Sequence, residues 1–395
     1  MPLFTPFYAR TRELCTSSAY KIWSGFLAPR HYGPNATLEY HALRHACGVL
    51  DLAPLRKLRV EGPDAAQFLS LVFTRDVTRA TPGRVLYGCF LNTHGLLIDD
   101  GTVMHLPDGG YRVTSGSSLL PWFTSLAHGF EIQLVDESDA IACLALQGPT
   151  SRALLGKLFG SRLELLSFFR IATFRLGEAE LQISRTGYTG DLGYELWIPQ
   201  MHAIALWDAI FEEGRHDGCT PLGLDALDIA RIEAGFIMQD VEYQSAPRAE
   251  TPLQTATPVE LGLSAMVQWD RGPFVGDRAL RKLMDRPPAR VLVGMEVDEL
   301  ALAEHYRSRG LPPLLPAEAS RTPAPLFHHG REAGHLSSRA WSPLLKKYLA
   351  LAWVAQEHSK VGTRLDVELL VDHSHVTVGT TVVDRPFFQP KRFRA

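Results

Sequence analysis

The order of apolar and polar positions predicts a chain that mixes helices with sheets. Twice in the first half, a strand-like apolar run ends in Gly-Pro and continues into residues with helical spacing, at 62–63 and at 148–149. Proline near the first position of a helix costs little, because the N–H that it lacks would have no partner there. We therefore expect two similar α/β units in the first half.

Antiparallel strands are predicted around these units. Two hairpins are expected, one pairing 85–90 with 96–106 and the other pairing 174–176 with 181–185, because each pair of apolar segments flanks a short turn rich in glycine or polar residues. A further strand follows over 194–198. The segment 202–213 carries apolar residues every three or four positions, which predicts a helix that packs one face on a sheet.

The chain changes character near residue 286. Four later segments with strand patterns are separated by short turns and predict a small β-barrel or jelly-roll-like unit, at 291–297, 350–354, 364–371 and 376–383. Prolines are dense between 310 and 325. We expect a surface loop there, because proline lacks the N–H that an interior strand or helix uses.

Length and composition fit a globular protein with more than one core. At 395 residues the chain exceeds the size of a single core, and its apolar share of 46% and net charge of -3 exclude a fibrous, disordered or membrane class. Basic residues are scattered except in a short run at 391–394, which we interpret as a solvated chain end, so no nucleic-acid partner is expected. No apolar stretch approaches the length of a membrane span, so no membrane partner is expected either.

Cysteine and histidine spacing favours a reducing compartment and no metal. The five cysteines are far apart and include no C-x-x-C pair, and the first residues lack the apolar run of a secretory signal, so a cytoplasmic location is expected. His373 and His375, and the adjacent pair His328 and His329, lack a third ligand at metal-site spacing. We expect exposed histidines rather than a metal site.

The segment 184–196, Ser-Arg-Thr-Gly-Tyr-Thr-Gly-Asp-Leu-Gly-Tyr-Glu-Leu, is the most distinctive in the chain. Its glycines allow turns and a close approach to a ligand, and Tyr188 offers a flat ring with a hydroxyl. Glu195 is in phase with Trp197 on the predicted strand. A carboxylate beside aromatic surface suits the amino and ring N–H donors of a pterin, while the alternative is a structural hairpin with a solvent-facing glutamate.

The hairpin 85–100 ends in two consecutive aspartates, Asp99 and Asp100. Consecutive strand residues face opposite sides, so we expect only one of them to point into a given site, and periodicity does not choose between them. A carboxylate among apolar strand residues needs hydrogen bonds or a raised pKa, which is how acid/base groups are tuned. The alternative is a pair of edge-strand charges that prevents aggregation.

Together these two blocks resemble the T-protein (aminomethyltransferase) family of the glycine cleavage system. Weaker similarity covers most of the chain, roughly from Trp23 to Phe388. The resemblance implies an α+β fold, a cloverleaf of three domains with a β-rich, barrel-like C-terminal domain. It implies a discontinuous first, folate-binding domain over 1–55 and 140–285, an inserted α+β domain over 56–139, and the barrel-like domain over 286–395.

The resemblance also implies a function and a site. The expected activity is a tetrahydrofolate-dependent one-carbon transferase, which moves a methylene or methyl group from a small-molecule or lipoyl-bound donor to tetrahydrofolate. The family motif gives Asp100 the catalytic role. Tetrahydrofolate is expected to contact Tyr87, Tyr188, Glu195 and Arg231.

The chain departs from the family on the side that meets the donor. Leu227 stands where the family usually carries an arginine, and the segment with Met238, Glu242 and Tyr243 differs from the family phrase. The donor is therefore left open between an aminomethyl group on a lipoyl carrier protein and a methyl group on N, O or S of a small molecule. A further alternative is a folate-binding regulatory protein without turnover. A flavin oxidase is disfavoured, since no G-x-G-x-x-G follows a first strand.

Overall fold

A computed structural model describes residues 1–313 and 318–394 of the chain. These residues form both helices and strands, and most strand pairs are antiparallel. Every helix in this part of the chain is too short or too polar to cross a membrane.

The secondary structure of the described residues falls into three sheets, a small hairpin and surrounding helices. The helices, in chain order, are α1 (Tyr8–Leu14), α2 (Thr37–His45), α3 (Ala65–Val72), α4 (Leu120–Leu126), α5 (Ser151–Phe159), α6 (Ala203–Gly214), α7 (Leu224–Glu233), α8 (Asp277–Leu283) and α9 (Glu299–Arg307). The strands are β1 (Tyr20–Trp23), β2 (Phe26–Pro29), β3 (Cys47–Asp51), β4 (Arg56–Glu61), β5 (Val85–Leu91), β6 (Leu97–His105), β7 (Tyr111–Ser115), β8 (Gln133–Asp136), β9 (Ile141–Gln147), β10 (Ile171–Leu176), β11 (Ala179–Ser184), β12 (Gly193–Pro199), β13 (Cys219–Pro221), β14 (Arg290–Val297), β15 (Ala324–His328), β16 (Arg331–Ser342), β17 (Lys347–Ala355), β18 (Arg364–Val371) and β19 (Ser374–Val383).

The first sheet has the strand order β10-β11-β12-β9-β3-β13. Helices α5 and α6 pack on one face through a core that includes Leu155 and Trp207, and α2 and α7 contribute to a second core on the other face. The predicted strand–Gly-Pro–helix unit is confirmed between β9 and α5. Gly148 has a φ of 124°, and a Cβ there would lie 2.5 Å from the carbonyl oxygen of Ala46, so the turn requires glycine.

The second sheet has the order β5-β6-β7-β4-β8, and the other predicted Gly-Pro turn joins β4 to α3. Arg112 of β7 links this sheet to the first one. Its guanidinium donates to the Gln182 side chain at 2.7 Å and lies 5.5 Å from the ring centre of Trp197. This contact orients the inserted segment against the face of the first sheet that carries Glu195.

The C-terminal strands close into a barrel, β14-β17-β16-β15-β18-β19, which confirms the expected barrel-like unit. The predicted proline-rich loop ends earlier than expected, because Pro325 lies inside β15. That strand pairs with β18 only at Leu326 and Phe327, so the missing N–H of Pro325 breaks no bond to β18. Pro316, which belongs to the same prediction, lies outside the described residues.

The sequence predicted a solvated basic end, and the structure agrees for the exposed Lys391 and Arg394 but not for Arg392. Arg392 donates two hydrogen bonds to Asp191, at 2.6 and 2.9 Å, and so ties the chain end to the loop before β12. Asp191 also lies 3.6 Å from the guanidinium of Arg44, and both side chains are fully buried. The three sheets fall within the three segments predicted as domains, and the division into domains itself stays a prediction.

Candidate functional site

The centre of the site is the Asp100 carboxylate on β6. Tyr87, on the adjacent strand β5, donates its hydroxyl to one carboxylate oxygen at 2.8 Å, and Tyr243 donates to the other at 2.6 Å. Burial raises the pKa of Asp100, and the two hydroxyls act against this rise. The structure therefore brings together two of the residues that the family motif assigns, Tyr87 and Asp100, with Tyr243 from the predicted substrate side.

Asp99 also reaches this centre, which differs from the expectation that only one aspartate can do so. Strand β7 pairs with β6 only as far as Gly101, so the backbone beside Asp99 and Asp100 is open to other groups. The Tyr243 hydroxyl enters there and lies 3.3 Å from the Asp99 carboxylate, which also accepts the N–H of Ser117 at 2.9 Å. Burial and the neighbouring Asp100 charge raise the pKa of Asp99 to about 8.

Glu195 lies on β12, and the hydrogen bonds that it accepts from the described residues go to one carboxylate oxygen. Thr186 and Ser184 both donate to its Oε2, at 2.6 and 3.4 Å, and the Trp197 indole fixes Ser184 through a 3.1 Å hydrogen bond. Burial raises the pKa of Glu195. As predicted, Glu195 shares a sheet face with Trp197, and Trp197 belongs to the same apolar cluster as Val85, two residues before Tyr87.

Tyr188 is held as a fixed flat surface beside this face. Its hydroxyl donates to the carbonyl of Ile237, and its ring stacks on Phe236 with centroids 5.6 Å apart. Burial raises its pKa. The hydroxyl is thus occupied by the protein, so the ring face is the part of Tyr188 that can meet a ligand.

Arg231 lies in a buried ionic network behind Tyr188. Its guanidinium donates to Asp228 at 2.8 Å and to Glu242 at 2.9 Å, and Arg321, in the segment before β15, also donates to Asp228. Glu242 accepts the backbone N–H of Met238 at 2.8 Å as well. Arg231 therefore fixes the segment that carries Tyr243, and its assignment to the cofactor stays a prediction.

Accessibility separates the predicted residues into two groups. Tyr87, Asp100, Tyr188, Glu195 and Met238 are partly exposed. We call the partly exposed surface of these five residues the recess. The remaining predicted residues are buried behind this surface: Leu227, Arg231, Glu242 and Tyr243.

Sequence reasoning missed two polar residues that complete the site. Ser117 donates its backbone N–H to Asp99 and its hydroxyl to Gln239 at 3.0 Å, and Gln239 in turn donates to the carbonyl of Ile98 at 3.3 Å. Gln239 lies next to Met238, in the segment that differs from the family phrase, so its place in the site could have been predicted. Ser117 lies in a turn between β7 and α4, where the sequence gives no sign of its role.

One group of potential metal ligands lies elsewhere in the described residues. The side chains of His31, Asp225 and Glu318 offer ligand atoms within 4.8 Å of one another. The guanidinium of Arg30 contacts both carboxylates, lying 3.2 Å from Asp225. A cation of the protein itself already bridges the two acids.

Comparisons with known proteins agree on one family. The family model "GCVT N-terminal domain" matches residues 16–271, and "Glycine cleavage T-protein C-terminal barrel domain" matches residues 309–389. An "Aminomethyltransferase" of Halothermothrix orenii is 32% identical over 83% of this chain and 86% of its own length.

A "Trimethylamine-oxide aldolase" of Ruegeria pomeroyi is 35% identical over 90% of this chain, and the match spans 43% of that relative's length. The crystal structure of the glycine cleavage system aminomethyltransferase T from Bartonella henselae shares the fold. Its TM-score is 0.83 at 23% identity, and the match covers 98% of this chain and 99% of that one. The relatives give no support to a protein without turnover. The chain belongs to the glycine cleavage T-protein family, the folate-dependent aminomethyltransferases.

Proposed function

We propose that this enzyme transfers a one-carbon unit to tetrahydrofolate, with Asp100 at the reacting centre. The observation that carries the proposal is a partly exposed carboxylate held from both sides by the Tyr87 and Tyr243 hydroxyls. Such a fixed carboxylate can orient a nucleophile and hold a proton while bonds change. Its family membership supports the same reaction class.

The chemistry of the recess fits the pterin part of tetrahydrofolate. Both hydrogen bonds that Glu195 accepts go to Oε2, which leaves Oε1 for paired N–H donors of a ligand. Tyr188 offers a ring face that its own hydroxyl bond keeps in place. A planar ring with an amino group and ring N–H donors satisfies both features.

Each residue then has a separate task in the proposed reaction. Glu195 would accept hydrogen bonds from the pterin edge and set its orientation, and Asp100 would accept a hydrogen bond from the reacting end. Bound tetrahydrofolate would supply the nitrogen atoms that accept the one-carbon unit. Since burial raises the pKa of Asp100, this carboxylate can take up a proton at the site and return it.

The donor side supports a second candidate, demethylation of a small methylated molecule. Leu227 is 6% exposed and packs in an apolar cluster, where the family usually has an arginine. Apolar surroundings behind the exposed surface suit a methylated donor better than a charged one. The Ruegeria pomeroyi relative is named for trimethylamine oxide, which is a small methylated compound of this class. A lipoyl carrier protein is the corresponding partner for the aminomethyl version.

The test starts with calorimetric titration of tetrahydrofolate into the wild type, Asp100→Asn and a control, Asp366→Asn, which alters an exposed acid on β18. Mass spectrometry then follows folate products with two donor sets, aminomethyl-lipoyl carrier protein and methylated amines or amine oxides. We expect the wild type and control to form the product with one set, and Asp100→Asn to bind folate without turnover. Failure of the wild type to bind tetrahydrofolate contradicts the proposal.

We also propose that the protein acts in the cytoplasm. All five cysteines are free, which suits a reducing compartment. Fractionation of cells that express the tagged chain would test this, and recovery from an oxidising compartment would contradict it.

A further inference from the structure

A second recess lies on the other side of β5 from Asp100. Its volume is about 250 Å³. It opens at the junction between the inserted segment and the first sheet, where Arg84 and Arg170 pair through their backbones. Leu86 lines it, while Tyr87, the next residue, points toward Asp100. The recess is thus separate from the proposed one-carbon site.

Positive charge dominates the lining. Four arginines and one acid surround the space: Arg75, Arg79, Arg84, Arg170 and Asp76. Asp76 is already engaged, since it accepts two hydrogen bonds from Thr78 and lies 3.0 Å from the Arg79 guanidinium. Among the described residues, this single carboxylate faces four guanidinium groups.

Arg75 and Arg84 form no ion pair with an acid among the described residues, and Arg75 is the more perturbed of the two. Arg75 is partly buried, and its guanidinium contacts the sulfur of Met266 at 3.9 Å. Burial and the charge of Arg84 both act against its protonated form and lower its pKa. Arg170 donates to the neutral hydroxyl of Thr81 at 3.2 Å. Folding therefore holds like charges together in a recess, which costs free energy unless an anion joins them.

We propose that this recess binds a flexible polyanion that carries two or more phosphate or carboxylate groups. Guanidinium groups recognise such oxyanions through paired, charge-assisted hydrogen bonds. The volume is below the roughly 300–1,000 Å³ of sites that enclose a whole drug-sized ligand. It suits the charged end of a ligand, and the two possible sources are a phosphorylated compound and a chain of linked carboxylates.

Calorimetry on the full chain tests the proposal with two probes, pyrophosphate and γ-linked triglutamate. The variant is Arg75→Gln with Arg84→Gln, and the control is Arg331→Gln with Arg364→Gln, which removes the same charge from exposed barrel positions. We expect at least one probe to bind the wild type and control with a Kd below about 1 mM. We expect the recess variant to bind it at least about tenfold more weakly.

The outcomes separate the source of the ligand and the role of the arginines. Tighter binding of pyrophosphate favours a phosphorylated ligand, and tighter binding of triglutamate favours a carboxylate chain. A thermal melt without probe completes the test, because removal of like charges is expected to keep or raise the Tm of the recess variant. The proposal is wrong if neither probe binds the wild type, if both variants weaken binding equally, or if the recess variant binds the probe as tightly as the wild type does.

Discussion

Replacing Tyr243 with phenylalanine tests whether its hydroxyl tunes the Asp99–Asp100 pair. The hydroxyl donates to Asp100 at 2.6 Å, accepts the Asp100 N–H at 3.2 Å and lies 3.3 Å from the Asp99 carboxylate. Phenylalanine keeps the ring, which is 3% exposed, and removes only these contacts.

The size of the effect follows from one lost hydrogen bond to a buried charge. Such a bond contributes about 1.5–3 kcal/mol, and one pKa unit corresponds to about 1.4 kcal/mol. A donor to a carboxylate favours its ionised form, so its loss raises the pKa of Asp100 further. If the ionised carboxylate is the active form, the acid limb of kcat/KM moves to higher pH by about one to two units. Because Asp99 and Asp100 interact, the apparent pKa that the acid limb gives describes the two carboxyl groups together.

The assay is kcat/KM against pH for the wild type, Tyr243→Phe and Tyr111→Phe. Tyr111 is a buried tyrosine of β7, stacked on His105 rather than bonded to the acid pair, and therefore serves as the control. We expect the limb to move only in Tyr243→Phe, with a smaller loss on the alkaline plateau. A uniform loss of activity with an unmoved limb would refute the reasoning and assign the hydroxyl to direct contact with substrate.

Three further predictions concern single side chains. The pKa of Asp99 is about 8 in the folded protein and near 4 when unfolded, so the free energy of unfolding falls as the pH rises from about 4 to 8. In urea unfolding between pH 6 and 8, the free energy of unfolding of the wild type should fall by at most about 1.4 kcal/mol per pH unit, and Asp99→Asn should make this fall smaller. The same slope in both proteins would contradict the prediction. Glu195→Gln should weaken tetrahydrofolate binding about tenfold in calorimetry with little change in Tm, and an unchanged Kd removes Glu195 from the cofactor site. Leu227→Arg should cost about 3–5 kcal/mol of stability, because it buries an unpaired charge, whereas Leu370→Arg at an exposed position of β18 should not, and equal urea midpoints would contradict this.

The sequence predicted four of the six barrel strands because their patterns are local, whereas β15 overlaps the predicted loop and β16 was not predicted. The segment 364–371 was predicted and is observed with the same bounds, since alternation of apolar and polar residues records which face is buried. Closure of the barrel was expected in outline. The barrel closes where β14 pairs with β19, with Gly294 opposite Val383. These residues are far apart in the chain, and no local pattern specifies that they pair.

The site was less predictable where it depends on chain ends and side-chain contacts. Alternation along the strand predicted that Asp99 and Asp100 face different sites. In the structure the pairing of β7 with β6 stops at Gly101, and the Tyr243 hydroxyl contacts both carboxylates. The sequence did not predict the network that joins Arg231 to Glu242, and contact of Arg231 with the cofactor stays a prediction. In both cases the deciding partner comes from the segment at 238–243, whose path depends on the rest of the fold.

The C-terminal barrel forms hydrogen bonds to Glu242, the residue before Tyr243. Trp353 of β17 donates its indole N–H to the backbone carbonyl of Glu242 at 2.8 Å. A bulge in β16 lets the consecutive residues Ser337 and Ser338 both donate to the Glu242 carboxylate, at 3.0 and 2.6 Å. Glu242 directly precedes Tyr243, so these bonds fix the residue that holds the acid pair. The barrel therefore sets the geometry of Asp100 from outside the two sheets that carry the recess.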